Sequence, residues 1–399
     1  MRTDSRHRYR VVLLFETARE HGRRLMRGIS HYAREHGPWG LHVIPGDQFQ
    51  RMPLLQAWAP TGIIARIMAP AAGREVLRSG LPVVAVNLAE MQHRQPKGPW
   101  ARIPDVRGNG DALGRMAADH LIACGLRHFA YVSDLENTVW SRWREEGFRR
   151  RVAEIGGTFA SYPVPAARLR ADFGAEQAAL GRWLQTLPKP VGVMAVMDVR
   201  GREAISACIQ VGLRVPDEVA VIGIDNDELF CELCDPPLTS VAINAEEAGY
   251  QAAKLLHRMM AGERVGAARI LFEPTHVVAR ESTRVVVHDD AVTAAALRFI
   301  RLRADTPLPV SEVARQVGLS RRSLEMRFRR GTGRTILEDI NAVRHDRVVA
   351  LLRETALPLE KIAVRCGFAN ANYLTKVFRR TCGVSPTVFR QKHASRARF

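Results

Sequence analysis

The sequence predicts a chain in two parts. Residues 1–283 read as a two-lobed α/β part with parallel sheets, residues 284–290 as a linker, and residues 291–399 as an all-α part with two helix-turn-helix motifs at 310–333 and 359–383. Three observations predict this. Short apolar strands alternate with amphipathic helices through the first part, which implies parallel sheets covered on both faces. One motif recurs near the C-terminus, Ala314 and Gly318 answering to Ala363 and Gly367 at a spacing of 49, and Leu324, Phe328 and Gly333 to Leu374, Phe378 and Gly383 at 50. The formal charge of +18 is uneven: residues 291–399 hold 22 Lys+Arg against 8 Asp+Glu (+14), and the other 290 hold 37 against 33 (+4).

Taken in order, Tyr9–Phe15 is a buried-strand run. Arg19–His36 follows as a helix with Leu25, Met26, Ile29, Tyr32 and Ala33 on one side and a Gly-Pro stop. Leu41–Pro45, Gly62–Ala65, Pro82–Asn87 and Ala101–Asp105 read as further strands. Then come helix Gly110–Cys124, strand His128–Asp134, helix Ser141–Ile155, strand Thr158–Val164, helix Ala175–Leu187, strand Val191–Asp198, helix Gly201–Val211 and strand Val219–Asn226. PPLTSVAIN, helix Glu246–Ala261 and strand Arg269–Pro274 complete the part. So many units exceed one sheet, and two lobes are predicted. Ligands of such sheets sit at the carboxyl ends of the strands. The candidates by position are Glu16, Asp105, Asp134, Asp198, Asp225 and Asn226.

In each C-terminal motif a short helix (Val313, Val317; Ile362, Cys366) ends at a glycine suited to a left-handed cap. Leu319 or Phe368 pins the turn, and Ser320 or Asn370 caps a second helix. That helix is apolar at Leu324 and Phe328, or Leu374 and Phe378, and cationic opposite. Two matching cationic helices in the second position favour major-groove reading over a merely solvated face.

The pair of motifs, the linking helix Ile336–Thr355, the stop at Pro358 and the closing GVSPTVFR (Gly383–Arg390) resemble the AraC family of transcription factors. The resemblance implies operator or promoter DNA as a partner. It gives Arg322, Glu325 and Met326 as base-facing in the first motif, and Ala371, Asn372, Thr375 and Lys376 in the second. Asn372 suits adenine and Lys376 guanine. Arg321, Arg329, Arg379 and Arg380 suit phosphates.

In the first part VIGIDNDE, PPLTSV, EAGYQAAKLL, VARESTR and the R-x-x-G-F within RWREEGF resemble the ligand-binding core of LacI-type regulators, itself similar to periplasmic sugar-binding proteins. A periplasmic-binding-protein-like sensor is therefore expected. No helix-turn-helix is expected ahead of it, since the first strand begins near Tyr9. A LacI-like sensor followed by an AraC-type reader is similar to the bacterial xylose operon regulators, whose phrases recur as WLQTLP (Trp183–Pro188), VIGIDN (Val221–Asn226) and GYQAAKLLHR (Gly249–Arg258). The resemblance implies a transcriptional activator of pentose-catabolism genes with D-xylose as inducer. It further implies a homodimer and RNA polymerase as protein partners.

A pyranose presents vicinal hydroxyls and an apolar face, which match planar Asp, Asn and Arg groups and an aromatic ring. The LacI-type resemblance implies a sugar-contacting carboxylate at Asp225 and assigns Arg144 through R-x-x-G-F. Asp198 reads equally as a contact or a helix cap, Trp140 as a stacking ring or a core residue, and Asp105 as a cap for the helix that follows. Glu16 and Arg19 follow the first strand.

Other classes find little support. Gly108, Gly110 and Gly114 are spaced GxGxxxG, not GxGxxG, and read as loop and helix packing rather than a dinucleotide site. Cys231 and Cys234 form a lone CxxC without further ligands at zinc spacing, so no metal or cofactor is expected. No catalytic pair stands out among the 13 histidines; a regulator of the same build that senses another sugar or represses is the first alternative, and a sugar-modifying enzyme or a constitutive DNA binder ranks below it. The apolar run Val11–Phe15 is too short for a signal peptide, no stretch approaches a membrane span, and the scattered cysteines suit the cytoplasm.

Overall fold

The computed structural model describes residues 9–45, 58–67, 70–94, 97–163, 172–285, 290–355 and 357–394. The chain forms two compact units, 1–285 and 286–399. Most of the expected linker (286–289) and the end of the strand expected at Thr158–Val164 lie outside the described residues.

The first unit holds two six-stranded sheets. In the first, β1 (Tyr9–Phe15) lies between β2 (Trp39–Pro45) and β3 (Gly62–Arg66), followed by β4 (Val83–Val86), β5 (Asp105–Gly108) and β11 (Arg269–Phe272). In the second, β6 (His128–Val132) lies between β7 (Thr158–Ser161) and β8 (Val191–Ala195), followed by β9 (Val219–Asp225), β10 (Thr239–Ile243) and β12 (Pro274–Val278). The described pairings are parallel except β10–β12. Val11–Phe15 and Val219–Ile224 are buried throughout, as strands covered on both faces must be. The chain passes between the sheets three times, after β5, after β10 and after β11. Those crossings place a cleft between the lobes at the strands' carboxyl ends.

Five helices position the cleft. Helix α1 (Glu20–His36) follows β1, α2 (Pro70–Arg78) and α3 (Ala89–Arg94) follow β3 and β4, and α4 (Gly110–Ala123) enters the second lobe to pack on α5 (Val139–Glu154). The α4–α5 contact is close. A Cβ on Gly114 would sit 2.2 Å from the carbonyl oxygen of Arg144, and one on Gly147 would sit 2.4 Å from that of Asp111. The glycines at 110 and 114 thus serve helix packing. Helices α6 (Phe173–Thr186), α7 (Asp198–Gln210), α8 (Glu228–Glu232) and α9 (Ala245–Met260) complete the unit.

Several boundaries differ from expectation. Asp105 starts β5 rather than ending a strand, because Pro104 supplies no N–H and residues 99–102 form a 3₁₀ turn. Strand β8 stops at Ala195, and Asp198 is the first residue of α7. The last strand is two, β11 and β12, because the chain changes lobes at Glu273.

The second unit is all helical: α10 (Ala291–Arg303), α11 (Val310–Gln316), α12 (Arg321–Thr332), α13 (Ile336–Glu354), α14 (Leu359–Arg365), α15 (Ala371–Cys382) and α16 (Pro386–Ala394). Each motif has its own core. Val313, Leu324 and Phe328 pack with Ile336 and Ile340 of α13, while Ile362, Leu374 and Phe378 pack with Val348 and Leu352. The linking helix starts at a capping box of Thr335 and Glu338. No helix among the described residues is long and apolar enough to cross a membrane.

Candidate functional site

The inter-lobe cleft is narrow, with a cavity volume of about 30 Å³. Its first-lobe wall carries Arg19, His21, Arg66 and Asn87, and its second-lobe wall Trp140, Arg144, Met197 and Asp225, with Phe272 at a crossing strand. Four of the six predicted ligand residues line it: Arg19, Trp140, Arg144 and Asp225.

Asp225 ends β9 with φ +104°, and Asn226 follows at +48°. Non-glycine residues rarely adopt such values, and over-determined strain of this kind gathers at ligand sites. Gly223, Asp198 and Ser240 packed behind the loop hold it there. The Asp225 carboxylate lies 3.7 Å from Nη2 of Arg144. Burial pushes its carboxyl above the ordinary range, against the pull of Arg144, Arg19 and Arg66. Arg144 is itself buried, donates Nη1 to the carbonyl of Val196 and stacks 5.1 Å from the Trp140 ring centroid. Its orientation is set before any ligand arrives.

Glu16 stands behind the first wall rather than on it. It accepts from Arg66 at 2.8 Å and lies 3.2 Å from Nε of Arg19, so it aims two guanidinium groups at the cleft. His21 packs 4.9 Å from Phe272. Burial, with Arg66, Arg144, Arg19 and Arg24 nearby, pushes its imidazole down to about 3. The ring is neutral at physiological pH, with one donor and one acceptor. Neither ring nitrogen nor Nε of Arg66 has a hydrogen-bond partner. Buried polar groups left open this way fit a polyhydroxylated ligand.

Asp198 does not line the cleft. Its buried carboxylate accepts from Ser240 Oγ at 2.5 Å and from the Asp227 N–H at 2.7 Å. Burial first, then Asp225, hold its carboxyl well above the ordinary range. Asp227 in turn accepts from the first N–H of α1, that of Glu20, at 2.9 Å. Helix α1 has no cap from its own N-cap side chain, Arg19, so the second lobe supplies one across the cleft mouth. Asp134 accepts from Thr138, Asn226 accepts from Arg280, and the buried Asp105 accepts from the Leu88 N–H. None of these three faces the cleft.

Sequence reasoning passed over His21, Arg66, Asn87, Met197 and Phe272. Arg66 and Asn87 close or follow β3 and β4, so the strand-end rule covers them. The CxxC is buried within the second lobe, with Cys234 donating to the Phe230 carbonyl and its thiol pushed up to about 11 by burial.

In the helical unit α12 and α15 carry the second candidate surface. Ser320 caps α12 at the Ser323 N–H and Asn370 caps α15 at the Tyr373 N–H. Both helices close on left-handed glycines, Gly333 and Gly383. Arg321, Arg322, Glu325, Met326 and Arg329 are exposed on α12, and Asn372, Lys376, Arg379 and Arg380 on α15. Ala371 and Thr375 are half-buried. Glu325 holds Arg321 at 2.9 Å, so a base contact by Glu325 requires that pair to open. Arg327 pairs with Asp290, which also caps α10 at Thr293. Arg344 of α13 is buried and donates to the carbonyls of Ala304 (2.8 Å) and Thr306 (2.9 Å), tying α10 to the linking helix.

The chain resembles known proteins over nearly its whole length. The profile of a periplasmic binding protein-like domain matches residues 118–283, and that of a helix-turn-helix domain matches 313–392. The xylose operon regulatory protein of Escherichia coli is 31% identical over 96% of this chain and 97% of its own. That of Haemophilus influenzae is 30% identical over 96% and 98%. The solved structure of a xylose-binding transcription activator aligns with TM-score 0.77 and 30% identity, covering 98% of this chain and 99% of that one. A cellobiose complex of the regulator CelR, at 22% identity and TM-score 0.54 over 69% of this chain, shares the sensor fold.

Proposed function

The chain belongs to the family of xylose operon regulatory proteins, and from that premise we propose that it activates pentose-catabolism genes in response to D-xylose. The observation that carries this reading is the cleft. Asp225 and Arg144 are pre-set on one lobe, Arg19 and Arg66 on the other, and the neutral His21 imidazole stands open between them. Planar donor and acceptor groups match vicinal hydroxyls bidentately, and Trp140 offers the apolar face its ring.

The mechanism is a population shift. Sugar touches both walls and favours the form in which the lobes meet. In a homodimer that change alters how two readers are presented to DNA. Each reader sets α12 and α15 into successive major-groove turns, where Arg322, Met326, Asn372 and Lys376 read bases and Arg329, Arg379 and Arg380 hold phosphates. At a promoter the bound dimer engages RNA polymerase, and the whole operates in the cytoplasm.

Calorimetry with a panel of pentoses and hexoses tests the ligand, and footprinting with and without sugar tests the output. D-xylose is expected to bind and to change the footprint. Silence with D-xylose and heat with another sugar would overturn the inducer; a footprint indifferent to every sugar would overturn the regulation.

The α1 cap gives a second test of the mechanism. Losing a cap costs about 0.5–2 kcal/mol. Because this cap spans the cleft mouth, that cost falls on the lobes-together form and so on apparent sugar affinity. Asp227→Ala is expected to raise the sugar Kd by roughly two- to thirtyfold, with little change in the melting temperature of the sugar-free protein. An unchanged Kd would show that the contact plays no part in closure.

A further inference from the structure

Outside the sugar cleft, the β5–β11 edge of the first lobe carries a group of cations that sugar sensing does not use. Arg269 of β11 is in register with Asp105 of β5, and Arg107, two residues on, shares the face of Asp105. Arg107 is only 7% exposed. Its Nε lies 3.1 Å from Asp105 Oδ2, but the two are not aligned for a hydrogen bond. Nε and Nη2 of Arg107, and Oδ2 of Asp105, all lack a hydrogen-bond partner. A buried guanidinium ordinarily satisfies its donors, so this one requires an explanation.

The pocket in front of Arg107 supplies one. It has a cavity volume of about 280 Å³ and is walled by both lobes: His93, Arg107 and Arg269 from the first, Arg142 and Trp143 from the second. The Arg107 guanidinium lies 5.3 Å from the Trp143 ring centroid, and Trp143, at 37% exposure, is an unusually open indole. Arg107, Arg142 and Arg269 are the arginines among the described lining residues, and Arg107 and Arg269 also act on the buried carboxyl of Asp105. Burial pushes that carboxyl, Asp105, up to about 6, against the backbone N–H of Leu88 and the charges of Arg107 and Arg269. Among the described residues the pocket's lining therefore has an excess of positive charge, guanidinium donors and an aromatic wall. Guanidinium groups bind oxyanions bidentately, and a tryptophan face takes the less polar part of a ligand.

We propose that this pocket binds a small phosphate-bearing metabolite, with its oxyanion on Arg107 and Arg269 and its organic part against Trp143. Such a ligand bridges the two lobes at a point away from the sugar. It gives the sensor a second chemical input, coupled to the first through the same lobe movement.

The test is calorimetry on the full-length chain with inorganic phosphate and with ribose 5-phosphate, at ionic strength held constant with chloride, and with D-xylose in parallel. Both anions are expected to bind. Arg269→Gln, at an exposed position, should weaken both by roughly tenfold or more, the worth of a charge-assisted hydrogen bond. Trp143→Ala should weaken ribose 5-phosphate more than inorganic phosphate. Arg107→Met should abolish both, and where that variant does not fold, Arg269→Gln decides. Sugar binding in the Arg269 and Trp143 variants is expected to match the parent. The proposal is overturned if neither anion binds beyond the chloride control, or if Arg269→Gln leaves both affinities unchanged. Anion binding that persists in a protein deaf to every sugar would sustain this site and count only against the sugar reading.

Discussion

Asp225→Asn is expected to lower D-xylose affinity by roughly two to four orders of magnitude, the loss of two charge-assisted hydrogen bonds at about 1.5–3 kcal/mol each. It is expected at the same time to leave the sugar-free protein as stable as the parent, or more stable. Asp225 has a carboxyl raised by burial, so the native chain binds that proton more readily than the unfolded chain does. A group of this sign contributes stability at low pH that is lost as pH rises above the ordinary carboxylate range. At neutral pH the ionised side chain is therefore a cost to the folded protein, and the amide removes it. The φ of +104° adds to that cost, and asparagine tolerates positive φ better than most residues. Melting temperature measured against pH, beside calorimetry with D-xylose, separates the outcomes. A variant that binds sugar normally, or one that melts well below the parent at pH 7, would show that Asp225 is structural.

The same residue shows how far the sequence reached. An apolar strand ending in Asp225 is visible as a pattern, and the rule that ligands sit at strand ends does the rest. Arg19 yields to the same rule, while Arg144 came from resemblance to a known core and Trp140 from the ring that a sugar's apolar face calls for. Arg66 and Asn87 were within the rule's reach but hidden, one as the last residue of β3 and the other on a left-handed backbone after β4. His21 had no signal, because its environment is assembled from Phe272, Arg66 and Arg144, all distant in sequence. Asp198 misled because an apolar run through Met197 concealed the end of β8, and its carboxylate is spent on Ser240 and Asp227. The helical unit was more legible. Its contacts are local, its caps are sequence-adjacent, and its apolar positions repeat at helical spacing. What escaped was Arg344, whose burial depends on carbonyls near residue 304.

Those carbonyls decide the other large effect, which compares one glycine in the two copies of the motif. Gly318 and Gly367 occupy equivalent turns at φ +71° and +73°. Either one changed to alanine carries the left-handed penalty of about 1–2 kcal/mol. For Gly318→Ala that is the whole cost, because its missing Cβ would meet nothing within 4 Å. At Gly367 the Cβ would lie 2.4 Å from the Ala304 carbonyl oxygen and 2.9 Å from that of Thr306. Both oxygens accept from Arg344, so they cannot retreat without stranding a buried guanidinium. Overpacking adds about 1–3 kcal/mol, and the stranded donors add about as much again. Gly367→Ala is therefore expected to unfold or loosen the second motif and to remove binding to a duplex selected from a random pool, while Gly318→Ala keeps it. D-xylose binding should be intact in both variants. Equal effects from the two substitutions in urea unfolding and mobility-shift assays would show that backbone strain alone governs these turns, and that Arg344 is not what joins the two halves of the reader.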